Sequence, residues 1–304
     1  MTNSFYERGP LVAEIGSLQV CHDSFATLDD FQPVDTTIMD FFCAHLNSFY
    51  DNAENGQNRV YFMPPDHVQL IQRYSPSLIK DHINFDFIQS HQIVFMPMIS
   101  SSSFSSCSSS FSNLSSYNTF SSCDDLSSNN TSDVPFSTSQ SISSLSNLNT
   151  IEHFNNSILL NNSENPNPVF HGFNNLHWSL LIWKPHARSS GFMFSHYDSA
   201  GNRNKESAKN LAHKISMIYK LRNGRFINCK APLQRNNYDC GIYVMAIMEY
   251  LSRPRPGIAE MINIITPQFI SLYRKCTADM IQTYNTNPPH ELVMETVLKR
   301  SDTI

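Results

Sequence analysis

Apolar side chains recur at helical spacing through Ile38, Phe42, Leu46 and Phe49, after small capping residues at Asp35 to Thr37. That pattern predicts a helix starting there. Residues 59–62 read as a short strand. Met63-Pro64-Pro65-Asp66 reads as a turn into a helix carrying Val68 and Ile71, and Pro76-Ser77 opens another short helical stretch. Residues 92–96 and 178–183 are predominantly apolar and predict buried strands. Gly191–Tyr197 alternates and predicts the hairpin partner of the second, with 184–190 as the turn region. Over 204–221, Ala208, Leu211, Ile215 and Ile218 share one helical face, and 225–229 reads as a short strand. From Cys240 or Gly241 to Leu251 nearly every residue is apolar, which predicts a buried helix stopped by Ser252-Arg253-Pro254-Arg255-Pro256-Gly257. Thr266-Pro267 sets an N-cap and a first-position proline before Phe269, Ile270, Leu272, Tyr273, Met280 and Ile281. Residues 1–30 are weakly patterned, and the chain beyond Asn285 is polar.

One tract has neither period. Residues 101–150 contain 22 serines, and no Lys or Arg occurs between Lys80 and Lys184. Such a segment has too little apolar surface to offset its ordering entropy, so it is expected to be disordered. It separates two strand candidates, which makes it a long loop inserted within one domain. The expected organisation is an N-terminal segment over 1–30, a catalytic domain over 31–290 interrupted by the Ser/Asn-rich insert at 100–165, and a polar tail over 291–304. Without the insert about 240 residues remain, enough for one sizeable core.

Composition narrows the function classes. A net charge of −5 with no basic stripe argues against nucleic acid as the primary partner. The seven cysteines form no Cys-x-x-Cys pair, so neither a disulfide framework nor a metal site is expected. No apolar stretch approaches the ~20 residues that span a bilayer, and residues 1–10 lack an apolar run, so membrane and secretory readings are set aside. Cytoplasm or nucleus is the expected location, and no cofactor is expected.

Four residues carry candidate chemistry: His177, Asp198, Gln234 and Cys240. The nucleophile of thiol chemistry is the thiolate. Cys240 lies at a predicted helix start, where unpaired N–H groups favour negative charge. His177 would take the thiol proton and return it to a leaving amine. Asp198, at the end of the neighbouring strand, would accept from the other ring nitrogen and fix the tautomer. Gln234 would donate its side-chain amide to an oxyanion together with the Cys240 N–H. Gly241 would let a scissile carbonyl approach the backbone. Taken singly, each of these residues has an ordinary structural explanation, and spacing alone is a weak argument for their combination.

The residues His177-Trp178-Ser179-Leu180-Leu181, His196-Tyr197-Asp198-Ser199 and Gln234-Arg-Asn-Asn-Tyr-Asp-Cys240-Gly241 together resemble the Ulp-type family of ubiquitin-like-protein proteases, also called sentrin-specific proteases. The similarity extends through Lys230-Ala231-Pro232 and Ile265-Thr266-Pro267, and faintly to 27–42. The resemblance implies an α+β, papain-like cysteine protease fold, with a mixed central sheet flanked by helices. It places the site in a cleft between a helical part carrying Cys240 and a sheet part carrying His177 and Asp198. It also implies that Trp178 encloses the Gly-Gly tail of a modifier. Where the family usually has Trp-Leu-Asn-Asp, this chain has Pro33-Val34-Asp35-Thr36; Asp35 would keep part of that motif's polar role, and Phe31 is the nearby aromatic. The branch most similar is the small deneddylating one. It implies, as partners, a Nedd-type ubiquitin-like modifier and its conjugates, cullin-like substrates among them. A SUMO-specific protease, an inactive modifier-binding protein and a thiol acyltransferase of similar fold remain as alternatives.

Overall fold

A mixed sheet of five strands, in the order β3-β4-β5-β6-β7, organises the molecule. The computed structural model describes residues 9–51, 60–79, 82–101, 176–187, 191–221, 224–254, 256–289 and 291–301. The strands are β3 (Val60–Phe62), β4 (Ile93–Ser101), β5 (Leu176–Ala187), β6 (Gly191–Tyr197) and β7 (Arg225–Asn228). The central pairs β4/β5 and β5/β6 are antiparallel, and each outer strand runs parallel to its neighbour. The expected insert lies outside the described residues from 102 onward, as do position 59 and the turn residues 188–190. Strand β5 continues to Ala187, beyond the turn start expected at 184.

Strand β5 explains why its sequence is apolar without alternation. Trp178, Leu180 and Ile182 join the core on one face, and Leu181 and Trp183 join the core on the other. A strand covered on both faces has no polar side to alternate with. One face carries α2 (Thr36–Asp51), α7 (Cys240–Leu251) and α9 (Pro267–Thr283); the other carries α3 (Pro65–Arg73) and α6 (Lys205–Ile218). All twelve residues of α7 are buried, as its uniformly apolar sequence requires. Helix α9 starts as expected: the Thr266 hydroxyl accepts from the Phe269 N–H at 3.2 Å, with Pro267 in the first turn.

Both ends carry elements that the sequence pattern did not announce. The weakly patterned N-terminus forms a hairpin, β1 (Leu11–Ile15) with β2 (Leu18–Cys21), followed by a one-turn helix α1 (His22–Phe25). Gly16, at φ 61, makes the tight turn, and Ala13 and Val20 enter the core. The strands are too short for their alternation to stand out from chance. The polar tail also contains a helix, α10 (Val293–Ser301), with Val293, Met294 and Val297 buried. Three apolar residues among charged ones are a weak signal, but they are enough for one buried stripe. Helices α4 (Pro76–Ile79), α5 (Phe85–Gln89) and α8 (Ile258–Ile264), with a 3-10 turn at Ala26–Leu28, complete the described elements; α5 and α8 had no sequence expectation.

The anchor of α10 is Glu249, fully buried near the end of α7. Its carboxylate accepts from the N–H groups of Val293 (2.7 Å) and Met294 (2.8 Å), and from the Tyr273 hydroxyl (2.7 Å). Two of those donors are otherwise unpaired amides of a helix start. Burial pushes Glu249 up to about 7 despite its three donors. The folded state therefore binds this proton more tightly than the unfolded chain does. The associated stability is fully present below about 4.5 and is lost as pH rises to about 7. Glu249→Ala orphans all three donors and is expected to cost on the order of 3 kcal/mol. Urea melts check this; a midpoint within experimental error of wild type would refute the anchoring role.

Candidate active site

Asp198 follows directly after β6, and His177 is the second residue of β5, so the β5/β6 register brings strand end and strand start together. The His177 Nε2 lies 2.6 Å from Asp198 Oδ1, and both side chains are buried. A carboxylate only accepts, so Nε2 carries the proton. Asp198 is held further by two amides: Ala200 N–H donates to Oδ1 at 2.9 Å and Asn204 N–H donates to Oδ2 at 2.9 Å. Burial disfavours the Asp198 charge, but the His177 and amide donors outweigh it and hold the carboxyl below the usual carboxylate range.

The Cys240 thiol is near enough to His177 to favour its charged form. With Nε2 committed to Asp198, Nδ1 is the nitrogen left with a lone pair. Burial opposes the imidazolium, but the Asp198 and Cys240 side chains prevail and raise His177 to about 9. Cys240 is the first residue of α7 and only 1% exposed. The Asp239 side chain does not cap this helix, although Asp is a favoured capping residue. Its Oδ1 accepts instead from Arg274 Nη2 at 2.8 Å and its Oδ2 from Asn236 Nδ2 at 2.6 Å. The first amides of α7 are thus left open beside the sulfur, where helix polarity favours a developing negative charge.

Gln234 belongs to the same connected set. Its N–H donates to the Ser199 carbonyl at 2.9 Å, its Oε1 accepts from the Ser199 hydroxyl at 2.6 Å, and its Nε2 donates to the Asn236 carbonyl. One N–H of that amide remains for another acceptor. Arg274, buried in α9, joins the cysteine loop to the N-terminal segment. Besides Asp239 it donates to the carbonyls of Tyr238 (3.4 Å), Thr27 (3.1 Å) and Asp29 (3.4 Å). The sequence offered no sign of this role, because the partners lie far apart along the chain.

The three residues expected to face substrate are placed differently from one another. Trp178 is almost wholly buried, and its Nε1 donates to the Val34 carbonyl at 2.9 Å. Gly241 packs against the same pair: a Cβ there would meet Val34 Cβ at 3.0 Å and Trp178 Cδ1 at 3.2 Å. Its glycine is thus required by protein neighbours. Asp35 is half-buried and accepts from the Ile38 N–H at 2.9 Å, so it serves as the cap of α2. Phe31 is 73% exposed and stands edge-on to the Tyr238 ring at 5.3 Å, with an unusual φ of 69. Trp178→Ala is expected to destabilise by about 3–5 kcal/mol through the lost contacts to Val34 and α7. Thermal melts check this, and a loss below 1 kcal/mol would mean the indole packs loosely.

Among the described residues no group of three His, Cys, Asp or Glu side chains is arranged to hold a metal ion, and no helix is long and apolar enough to cross a membrane.

Comparison with known proteins bears on this geometry. Residues 167–287 match the model of the Ulp1 protease family, C-terminal catalytic domain. Over 111 residues the chain is 34% identical to sentrin-specific protease 8 of Homo sapiens, covering 35% of this chain and 50% of that protein. Over 124 residues it is 26% identical to NEDD8-specific protease 1 of Arabidopsis thaliana, covering 35% of this chain and 53% of that protein. The chain thus spans about half the length of the curated relatives it matches. Its fold is similar to the X-ray structure of the C-terminal Ulp1 protease domain in complex with SMT3, the yeast ortholog of SUMO. That match has a TM-score of 0.52 and 14% identity, covering 91% of this chain and 89% of the other. His177, Asp198, Gln234 and Cys240 all lie within residues 167–287, the part of this α+β chain that matches the Ulp1 protease family.

Proposed function

We propose that this chain is a thiol isopeptidase and endopeptidase that cleaves after the Gly-Gly terminus of a ubiquitin-like modifier, with the Nedd type as preferred substrate. The observation that carries the reading is the commitment of His177 Nε2 to Asp198, which leaves Nδ1 to the Cys240 thiol. In this reading the thiol proton passes to Nδ1, and the thiolate attacks the carbonyl of the terminal glycine. The oxyanion is met by the Gln234 amide and the Cys240 N–H, each such donor being worth roughly 2.7–4 kcal/mol. Collapse expels the lysine or peptide amine, which takes the Nδ1 proton. Water then cleaves the thioester, with His177 as base. The name of the relative NEDD8-specific protease 1 supports the Nedd-type substrate.

Turnover needs the protonated imidazole beside the thiolate, so the basic limb of the rate profile is expected near pH 9, where His177 loses its proton. The deciding experiment adds propargylamide probes of NEDD8, SUMO and ubiquitin to the purified chain and locates any adduct by mass spectrometry. An adduct on Cys240 with the NEDD8 probe alone supports nucleophile and substrate together. A SUMO adduct alone keeps the mechanism and replaces the substrate. No adduct in a folded sample overturns the reaction.

A further inference from the structure

The hydrogen bonds around His177 and Asp198 extend beyond the pair. Asn204 stands at the N-cap of α6 and is almost wholly buried, yet its side chain makes no cap bond. An Asn at that position ordinarily accepts from the first turn, which stabilises a helix by about 1 kcal/mol. Here the side chain turns away into the strands. Its Nδ2 donates to the His177 carbonyl at 2.9 Å and to the Ser179 hydroxyl oxygen at 3.0 Å, and its Oδ1 accepts from the Ser100 hydroxyl. Its backbone N–H is the donor to Asp198 Oδ2. Every polar group Asn204 can offer from its N–H and side chain is therefore engaged, with one contact to the strand of the base and another to the acid.

We infer that Asn204 is a positioning residue of the proposed active site, holding Asp198 and His177 in mutual register by gripping one through its backbone and the other through its side chain. The inference rests on the roles proposed above for the pair. A helix start alone would fix only Asp198, and a strand alone only His177. The loop from Ser199 to Asn204 has other fastenings, at Ser199 and Asn202, but neither reaches the strand of His177.

The network behind Asn204 runs in one donor direction. The Ser179 hydroxyl, already accepting from Asn204, donates to His196 Nε2 at 3.2 Å. His196 Nδ1 donates to Asn228 Oδ1 at 2.8 Å, and Asn228 Nδ2 donates to Asn202 Oδ1 at 2.6 Å. This order requires a neutral His196, and burial does hold His196 below its ordinary value. The chain of bonds returns to Asn202, so the same loop is fastened a second time through β7. The charged and titratable groups that face the pair are Cys240 from α7, His196 from β6 and, towards His196, Lys205 from α6.

The test uses the full chain and two substitutions. Asn204→Ala removes the side-chain bonds. Asn204→Asp keeps the shape but cannot donate to the His177 carbonyl, and it sets a carboxyl beside Asp198. The pH dependence of Cys240 alkylation by iodoacetamide reads the protonation of His177 without any modifier. Wild type is expected to show a step near pH 9. The step should move down by about one unit in Asn204→Ala, as the carboxylate loosens its hold on the imidazolium, and up in Asn204→Asp. Where the modifier is cleaved, kcat should fall about 100-fold in Asn204→Ala with KM changed less than about twofold, the signature of misplacement. Circular dichroism confirms that each variant is folded; if Asn204→Ala is not, the isosteric Asn204→Asp carries the test. Unmoved steps in folded variants, with kcat within about twofold, would overturn the inference. A wild-type chain that shows the step and its shifts but cleaves no modifier would support the Asn204 role and overturn only the proposed reaction.

Discussion

Cys240→Ala is expected to lower turnover by about a millionfold, the scale seen when a covalent nucleophile is removed. No other described thiol can take its place: Cys21, Cys43, Cys229 and Cys276 are free cysteines elsewhere in the fold, and none is hydrogen-bonded to His177. The substitution removes a single sulfur from a buried helix start, so the stability loss should stay within about 1 kcal/mol. The variant should therefore melt like wild type, still bind the modifier, and form no propargylamide adduct. Cleavage of a modifier fusion under pre-steady-state conditions checks the rate. Residual activity within tenfold of wild type would remove Cys240 as nucleophile.

Asp198→Asn should cost about 10⁴-fold in kcat, and the reason lies in the three donors around the carboxylate. Oδ1 accepts from both His177 Nε2 and the Ala200 N–H, and Oδ2 accepts from the Asn204 N–H. Asparagine has only one oxygen for these donors. If its amide nitrogen replaces Oδ1, His177 must accept there and carry its proton on Nδ1, facing the sulfur, where it can no longer take the thiol proton. If the nitrogen replaces Oδ2, it confronts the Asn204 N–H and leaves that donor unpaired, at about 1–3 kcal/mol. Either arrangement weakens the imidazolium, so the basic limb near pH 9 should also move down. Stopped-flow cleavage across pH 6–10 would show both effects. A near-normal rate would mean that another group orients His177.

Much of the positioning frame was legible in the sequence because its signals are local. Thr266-Pro267 announces α9 through cap chemistry, and the apolar run Leu180–Trp183 of β5 announces a strand buried on both faces. His177, Asp198, Gln234 and Cys240 were legible as a set through motif resemblance, which single-residue reasoning did not supply. What escaped notice depends on tertiary contacts. Arg274 reads as one charged residue on an amphipathic helix, yet it ties together Asp239, Tyr238, Thr27 and Asp29. Asn204 reads as an ordinary helix cap, and only the strands behind it reveal where its side chain turns. The hairpin β1/β2 and helix α10 were missed for a different reason: each buries so few side chains that its periodicity is indistinguishable from coil. Trp178 was read as a wall for substrate, but the Val34 carbonyl and Gly241 give it a share in the core as well.

The pairing of β4 with β5 continues to their ends, where Ser101 stands opposite Leu176 and Ser100 opposite His177. The two residues that bracket 102–175 are therefore fixed opposite each other by the ladder itself, one register step from His177. The same junction divides the site covalently. A nick anywhere within 102–175 would leave His177, Asp198, Gln234 and Cys240 on one fragment, and Phe31, Val34 and Asp35 on the other. The reacting groups and the N-terminal wall beside them would then be held together by noncovalent contacts alone: the sheet, the shared core, the Trp178 bond to Val34 and the Arg274 bonds.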